Sequence, residues 1–198
     1  RGEAFIVLNR CGDIQPALGP EQGFYYDNTR FLSRFEILLD DERPEFLACR
    51  VSADGLIAES RAMYGRGEQK LQLLRESFVH DGAWRQRITL RNHAGESRTL
   101  RMSAACAADF ADVFEVRGAA RPRRGTLFPP MAQDGGVAFH YAGLDDVPRL
   151  ATISAAPAPD RVAGGVLYFD INVPAHGVAV VDFAVTAQLA RSASVRAE

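Results

Sequence analysis

Residues 84–92 read Trp-Arg-Gln-Arg-Ile-Thr-Leu-Arg-Asn, and this stretch decides the fold class. Apolar or amide side chains alternate with arginines and a threonine. Such a period of two is typical of a β-strand with one buried and one solvated face. We expect the buried face to carry Trp84, Gln86, Ile88 and Leu90.

The neighbouring stretches continue the pattern on both sides. Asp81-Gly82 and the Asn-His-Ala-Gly run at 92–95 are typical of hairpin turns, and they join 84–92 to predicted strands at 71–80 and 98–108. One face of the later strand would carry Leu100, Met102, Ala104 and Cys106. These stretches together predict an antiparallel meander with one buried face.

Period-two patterns recur over most of the chain. In 31–39 the pattern places Phe31, Ser33, Phe35, Ile37 and Leu39 on one face. Further strands are predicted at 46–52, 55–64, 137–141, 149–155, 166–173 and 178–187. About ten strands with almost no helical periodicity predict an all-β fold, a large antiparallel β-sandwich of the supersandwich-like kind with little helix.

This sandwich is expected to form a single domain over residues 1–190. The polar residues 191–198 are expected to be a tail or the start of a linker. Two stretches break the strand pattern. Residues 9–29 predict an ordered loop, and 107–130 fit two structures, because Phe110 and Phe114 suit the spacing of a helix as well as that of a strand.

Composition and charge exclude several function classes. The chain has 198 residues, 23 basic and 25 acidic, and a net charge of −2. So balanced a charge gives no field that would steer the protein to nucleic acid or an anionic membrane. No apolar run approaches the ~18 residues that a membrane-spanning helix requires. We therefore expect neither nucleic acid nor a membrane as a partner.

The cysteines and histidines do not predict a metal site. The three cysteines are far apart and lack CxxC spacing, so we expect reduced, mostly buried thiols in a cytoplasmic protein. The four histidines show no ligand spacing. GxSxG, GxGxxG and P-loop patterns are absent from the sequence, so no cofactor is expected.

A cluster of carboxylates is the sharpest chemical signal. Asp109, Asp112 and Glu115 follow one another at intervals of three, and Asp27 and Arg30 lie in an aromatic loop earlier in the chain. Paired carboxylates perform glycoside hydrolysis, and a spacing of three would place the first two on one side of a helical turn. The structural alternative is that they cap turns or pair with the arginines that follow them.

Sugar-binding surfaces also use aromatic faces. Phe24, Tyr25, Tyr26 and Trp84 are available for such a platform, although aromatic residues at strand positions more often belong to the core.

Four motifs carry a resemblance. They are Gly-Phe-Tyr-Tyr-Asp-Asn-Thr-Arg-Phe-Leu-Ser-Arg-Phe-Glu at 23–36, Asp-Phe-Ala-Asp-Val-Phe-Glu-Val-Arg-Gly at 109–118, Arg-Pro-Arg-Arg-Gly at 121–125 and Pro-Ala-Pro-Asp-Arg at 157–161. Together they resemble the N-terminal domain of bacterial and archaeal glycogen debranching enzymes of the amylo-α-1,6-glucosidase type. Asn28 departs from the family pattern, which usually has Asp there, so no role that requires a charge is carried over to that position.

The resemblance implies a non-catalytic domain. In such enzymes the catalytic carboxylates lie in a C-terminal (α/α) barrel, which this chain is too short to contain, and the N-terminal sandwich packs against that barrel and helps to shape the α-glucan cleft. The expected partners are thus the catalytic domain of the same polypeptide and an α-glucan. The residues expected to contact them are Tyr26, Asp27, Arg30, Asp109, Asp112, Glu115, Arg117, Arg123 and Arg124.

Three other functions stay open from the residues. The chain could be a free-standing carbohydrate-binding module, a small hydrolase that uses Asp109 and Asp112, or an interdomain scaffold without ligand contact.

Overall fold

The computed structural model describes residues 4–53, 57–65, 67 and 70–189, which form sixteen strands and one short helix. The predicted tail at 191–198 lies outside these residues. In chain order the elements are β1 (Ala4–Val7), β2 (Gly23–Tyr26), β3 (Thr29–Leu32), β4 (Arg34–Leu39), β5 (Glu45–Val51), β6 (Ile57–Tyr64), β7 (Leu71–His80), β8 (Ala83–Asn92), β9 (Arg98–Ala107), α1 (Val113–Val116), β10 (Thr126–Leu127), β11 (Met131–Gln133), β12 (Gly136–Ala142), β13 (Pro148–Ala156), β14 (Arg161–Ala163), β15 (Val166–Val173) and β16 (Val178–Leu189).

The strands form three antiparallel sheets, and the all-β sandwich is confirmed. The largest has nine strands in the order β10-β12-β13-β16-β8-β7-β6-β5, with β11 paired to β12 beside β10. A four-stranded sheet has the order β14-β15-β9-β4, and a three-stranded sheet the order β1-β2-β3. The last strand, β16, lies inside the large sheet between β8 and β13.

The core lies between the large sheet and the four-stranded sheet. Phe35 of β4 stands edge-on to Trp84 of β8 at 4.9 Å between ring centroids and to Phe183 of β16 at 5.2 Å. Phe183 in turn meets Phe169 of β15 at 5.8 Å. All four rings are at most 2% exposed. Edge-to-face packing of this kind stabilises beyond the buried area alone.

The predicted faces of the central strands are confirmed. In β8 the side chains of Trp84, Gln86, Ile88 and Leu90 are at most 1% exposed, and the arginines between them are exposed. In β9 Leu100, Met102, Ala104 and Cys106 are buried as expected, although Ser103 on the other face is buried too.

The prediction of one continuous strand over 31–39 is wrong. Ser33 separates β3 from β4, and the two strands belong to different sheets. Phe31 and Phe35 are buried as expected, but Leu32 and Glu36 of the opposite face are buried too. This stretch lies where the two small sheets meet, so its second face is mostly covered, with Arg34 the exposed residue in it.

The loop before β2 is ordered by a buried ion pair. Asp13 accepts a 2.6 Å hydrogen bond from Nη1 of Arg75 on β7, and the same guanidinium donates to the Gly12 carbonyl and to Gln86. Arg75 is 3% and Asp13 6% exposed. Ile14 adds an antiparallel bridge to Phe35. The loop is therefore fixed to both layers of the sandwich, but the prediction of a loop over all of 9–29 is wrong at its end, where β2 and the first residue of β3 form a hairpin.

All three cysteines are free, but they differ in accessibility. Cys106 is buried as predicted, and burial raises the pKa of its thiol to about 12. Cys11 is half-buried, with its pKa raised chiefly by burial. The prediction of burial is wrong for Cys49, which is exposed because β5 is an edge strand. Among the described residues no helix is long and apolar enough to cross a membrane.

Replacing Asp13 by Ala should lower the free energy of unfolding by about 3–5 kcal/mol, because it leaves the buried charge of Arg75 without its partner. Urea denaturation measures the change. The matched control is Asp182→Ala, which removes the exposed partner of Arg87 and should leave the midpoint nearly unchanged. Equal losses in the two variants would contradict the assignment.

Thiol labelling of the native protein should separate the cysteines. Cys49 should react with an aromatic disulfide reagent within minutes at pH 8, whereas Cys106, protonated and buried, should react only when the protein unfolds. Peptide mass analysis after a short labelling pulse identifies the modified residue. Rapid modification of Cys106 would show that the sheet opens there.

Candidate functional site

The two most specific motifs lie side by side, although about 80 residues separate them. Asp27 and Asn28 both have positive φ (45° and 59°), the conformation of the tight turn that closes the β2–β3 hairpin. The Arg30 N–H donates to the Ala111 carbonyl at 2.8 Å, and the Val113 N–H donates to the Asn28 carbonyl at 2.9 Å. The hairpin is thereby extended by the stretch that leads from β9 into α1.

Arg30 clamps this arrangement from inside. Its Nε and Nη2 donate to the two carboxylate oxygens of Asp109 at 3.1 and 2.5 Å, a bidentate pair. Its Nη1 donates to the carbonyls of Pro20 and Gln22. Arg30 is 8% exposed, and although burial lowers the pKa of the guanidinium, the hydrogen bonds and charge of Asp109 raise it, so the group stays charged.

Phe110 turns the chain sharply after Asp109. It has a φ of 50°, a left-handed conformation that costs a bulky residue about 1–3 kcal/mol. Its ring is 2% exposed, edge-on to Phe31 at 5.4 Å and stacked on Tyr141 at 5.3 Å. The expectation that Asp109 and Asp112 share one side of a helical turn is therefore wrong, because the helix begins only at Val113.

Asp112 and Glu115 build the start of α1. Asp112 is the N-cap, and its Oδ1 accepts from the Phe114 N–H at 2.8 Å. Glu115 reaches back to the Asp112 N–H, which completes a capping box. The sequence left helix and strand open for 107–130. The structure has one helical turn here and two short edge strands after it.

The arginine-rich stretch returns to the same carboxylates. Nε of Arg124 lies 3.0 Å from Oε1 of Glu115, and its Nη2 donates to the Asp109 carbonyl at 3.0 Å. Arg121 lies 3.5 Å from the other oxygen of Glu115. The N–H of Gly125 donates to the Tyr141 hydroxyl at 2.7 Å, which fixes the chain as it enters β10.

The structure brings five of the nine candidate residues into one network: Arg30, Asp109, Asp112, Glu115 and Arg124. Tyr26 and Asp27 lie half-buried at the tip of the adjacent hairpin. Arg117 and Arg123 are exposed, and within the described part of the chain neither side chain forms a hydrogen bond or ion pair. Contact of these nine residues with a glucan or a second domain stays a prediction.

The four aromatic residues considered for a sugar-binding platform do not form one. Phe24 and Trp84 are fully buried and Tyr25 is 2% exposed, so three of the four cannot stack on a sugar. The Tyr25 hydroxyl donates to the Glu21 carbonyl, and burial raises its pKa. Trp84 belongs to the core instead, and among the described residues its indole N–H has no hydrogen-bond partner.

Sequence reasoning missed the exposed apolar side chains beside this network. Phe114 is 66% exposed, and Leu127, Phe128 and Met131 follow in β10, β11 and the loop between them. One signal was available: Phe128 precedes Pro129-Pro130, a run that cannot continue a central strand. Among residues 4–53, 57–65, 67 and 70–189, no group of three or more potential ligands could hold a metal ion.

A sequence model of the N-terminal domain of some glycogen debranching enzymes matches residues 1–184. No curated protein matches the chain.

Two solved structures resemble the fold. A putative kojibiose phosphorylase from the human microbiome superposes with a TM-score of 0.57 at 9% identity, over 81% of this chain and 23% of that one. A galactose mutarotase related enzyme from Lactobacillus acidophilus superposes with a TM-score of 0.51 at 7% identity, over 95% of both chains. This chain thus spans less than a quarter of the phosphorylase, and at such identities the likeness concerns the fold alone.

Replacing Arg30 by Lys should lower the free energy of unfolding by about 2 kcal/mol, because an ammonium cannot keep both bonds to Asp109 and those to the loop carbonyls. Urea denaturation measures the change. The matched control is Arg50→Lys, which alters a bidentate pair with Glu59 at the exposed sheet edge. It should leave the midpoint nearly unchanged, and an unchanged midpoint for Arg30→Lys would refute the clamp.

Proposed function

Because the chain belongs to the family of N-terminal domains found in some glycogen debranching enzymes, we propose that it packs against an (α/α) barrel catalytic domain of the same polypeptide and shapes that domain's α-glucan cleft. The activity served is that of an amylo-α-1,6-glucosidase. A cytoplasmic location is part of the proposal, because an odd number of free cysteines without paired spacing suits a reducing compartment.

The carboxylates of the site are all engaged in structural contacts, and this observation favours a supporting role over a catalytic one. Asp109 is held by Arg30, Asp112 caps α1, and Glu115 binds Arg124 and the N-cap. Glycoside hydrolysis needs one carboxyl free to hold a proton and a second free to act as base or nucleophile. Each of these carboxylates instead has an arginine or backbone partner, which argues against a hydrolase built on Asp109 and Asp112.

The side chains that border this network are suited to line the wall of a cleft. Arg117 and Arg123 project from the segment that the network fixes, and Tyr26 and Asp27 lie at the neighbouring hairpin tip. Planar guanidinium and carboxylate groups can form paired hydrogen bonds with vicinal hydroxyls or with the charges of a second domain. The rigid scaffold beneath them would hold these groups in place.

In the full-length polypeptide, the double replacement Arg117→Ala and Arg123→Ala should lower kcat/KM for debranching roughly tenfold, equivalent to about 1.4 kcal/mol. Since both side chains are exposed, the unfolding midpoint of this chain alone should not change. The control is Arg85→Ala, an exposed arginine on the outer face of β8. Equal activity of the double variant and the control would contradict the proposal.

Calorimetric titration of this chain alone with maltoheptaose tests the carbohydrate-binding alternative. We expect no saturable heat at millimolar ligand, because Phe24, Tyr25 and Trp84 are buried and no platform is formed from them. Saturable binding would favour an independent carbohydrate-binding module and would direct mapping to residues 23–31 and 107–125.

A further inference from the structure

The border of the sandwich next to the candidate network carries apolar side chains that the described residues leave exposed. We name it the 114–131 edge, and it comprises Phe114, Leu127, Phe128 and Met131, which are 66%, 47%, 46% and 56% exposed. Single exposed apolar residues are ordinary, but a group of large ones marks a surface that another molecule covers.

These residues border one strand at the edge of the large sheet. Leu127 pairs with Tyr141 and Met131 with Ala138, so both lie along β12, with their side chains on opposite faces of the sheet. The N–H of Phe128 donates to the His140 carbonyl between them. Arg124, two residues before β10, binds Glu115, the neighbour of Phe114 in α1, and so links the helix to the start of this edge.

We propose that the 114–131 edge is the surface on which the polypeptide that follows residue 198 in the full-length protein docks. The inference rests on the proposed function, because it assumes a C-terminal catalytic domain, and it adds the place of contact.

The point where the described chain ends favours this occupant. Leu127, Tyr141, Arg149 and Leu189 stand opposite one another in successive strand pairs, so they form one row across β10, β12, β13 and β16. Leu189 ends β16, and three strand spacings separate it from Leu127, about 14 Å. A domain that continues from this end of β16 meets the 114–131 edge without a long connection.

The opposite border of the large sheet is a poorer candidate. There β5 exposes Leu47 and Val51, which are 53% and 64% exposed. The row of Val51 crosses β16 at Phe183, six residues before Leu189, and β5 lies four strands from β16. These offsets place Val51 about 28 Å from Leu189.

Charge around the edge indicates the chemistry of the partner surface. Arg117, Arg121, Arg123 and Arg124 lie in the chain between Phe114 and Leu127, and Glu115 balances two of them. Arg117 and Arg123 remain exposed. The docked surface should therefore have an apolar centre with acidic side chains at its rim, the usual composition of a specific interface.

Labelling of an introduced cysteine tests the contact directly. Met131→Cys should react with a maleimide at least tenfold more slowly in the full-length protein than in this 198-residue chain, whereas the native Cys49 on the far border should react at equal rates in both. Peptide mass analysis reports both sites in the same sample. Equal rates at position 131 in the two proteins would overturn the proposal.

A second pair of variants separates this inference from the proposed function. In the full-length protein Phe128→Asp should lower kcat/KM for debranching at least tenfold, and Phe78→Asp, at an exposed phenylalanine of β7, should stay within twofold of the unaltered protein. If Phe128→Asp has normal activity and the Arg117 and Arg123 double variant has low activity, the docking surface is rejected and the proposed function stands. Normal activity of all these variants would reject both proposals.

Discussion

The contact of Phe35 with Trp84 and Phe183 is the interaction on which the sandwich depends. One ring from the four-stranded sheet stands between two rings of the nine-stranded sheet, and all three are excluded from water. Aromatic side chains at this point set the distance between the layers. Ile14 bridges Phe35, so the loop that carries Asp13 is fixed by the same residue.

Much of this architecture could be predicted because β8 and β15 each have one buried and one more exposed face, and a period of two expresses that difference. The same alternation is a wrong guide at 31–39, where the chain changes sheets at Ser33 and where Leu32 and Glu36 of the second face are buried as well. It also missed the exposure of Cys49, because alternation does not distinguish an edge strand from a central one.

The resemblance to a known family located the site, but the spacing of residues along the chain could not predict its geometry. Asp109 forms an ion pair with Arg30, which is 79 positions away in the chain, so its role depends on how the sheets assemble. Phe110 adopts a left-handed backbone only because Phe31 and Tyr141 enclose its ring. A local rule therefore placed Asp109 and Asp112 together on a helix, whereas tertiary packing assigns one to an ion pair and the other to a cap.

The position of β16 has a consequence for how the chain acquires its structure. Since this final strand lies between β8 and β13, the earlier strands of the large sheet can form only two separate parts, β5–β8 and β10–β13, each with an open inner border. During synthesis, residues 178–189 emerge after every other strand of the domain, and their partners in β8 were made about 90 residues earlier. Pairing across so long an interval is slow, since a large loop must close first. The domain therefore completes its fold only after its own last strand has left the ribosome.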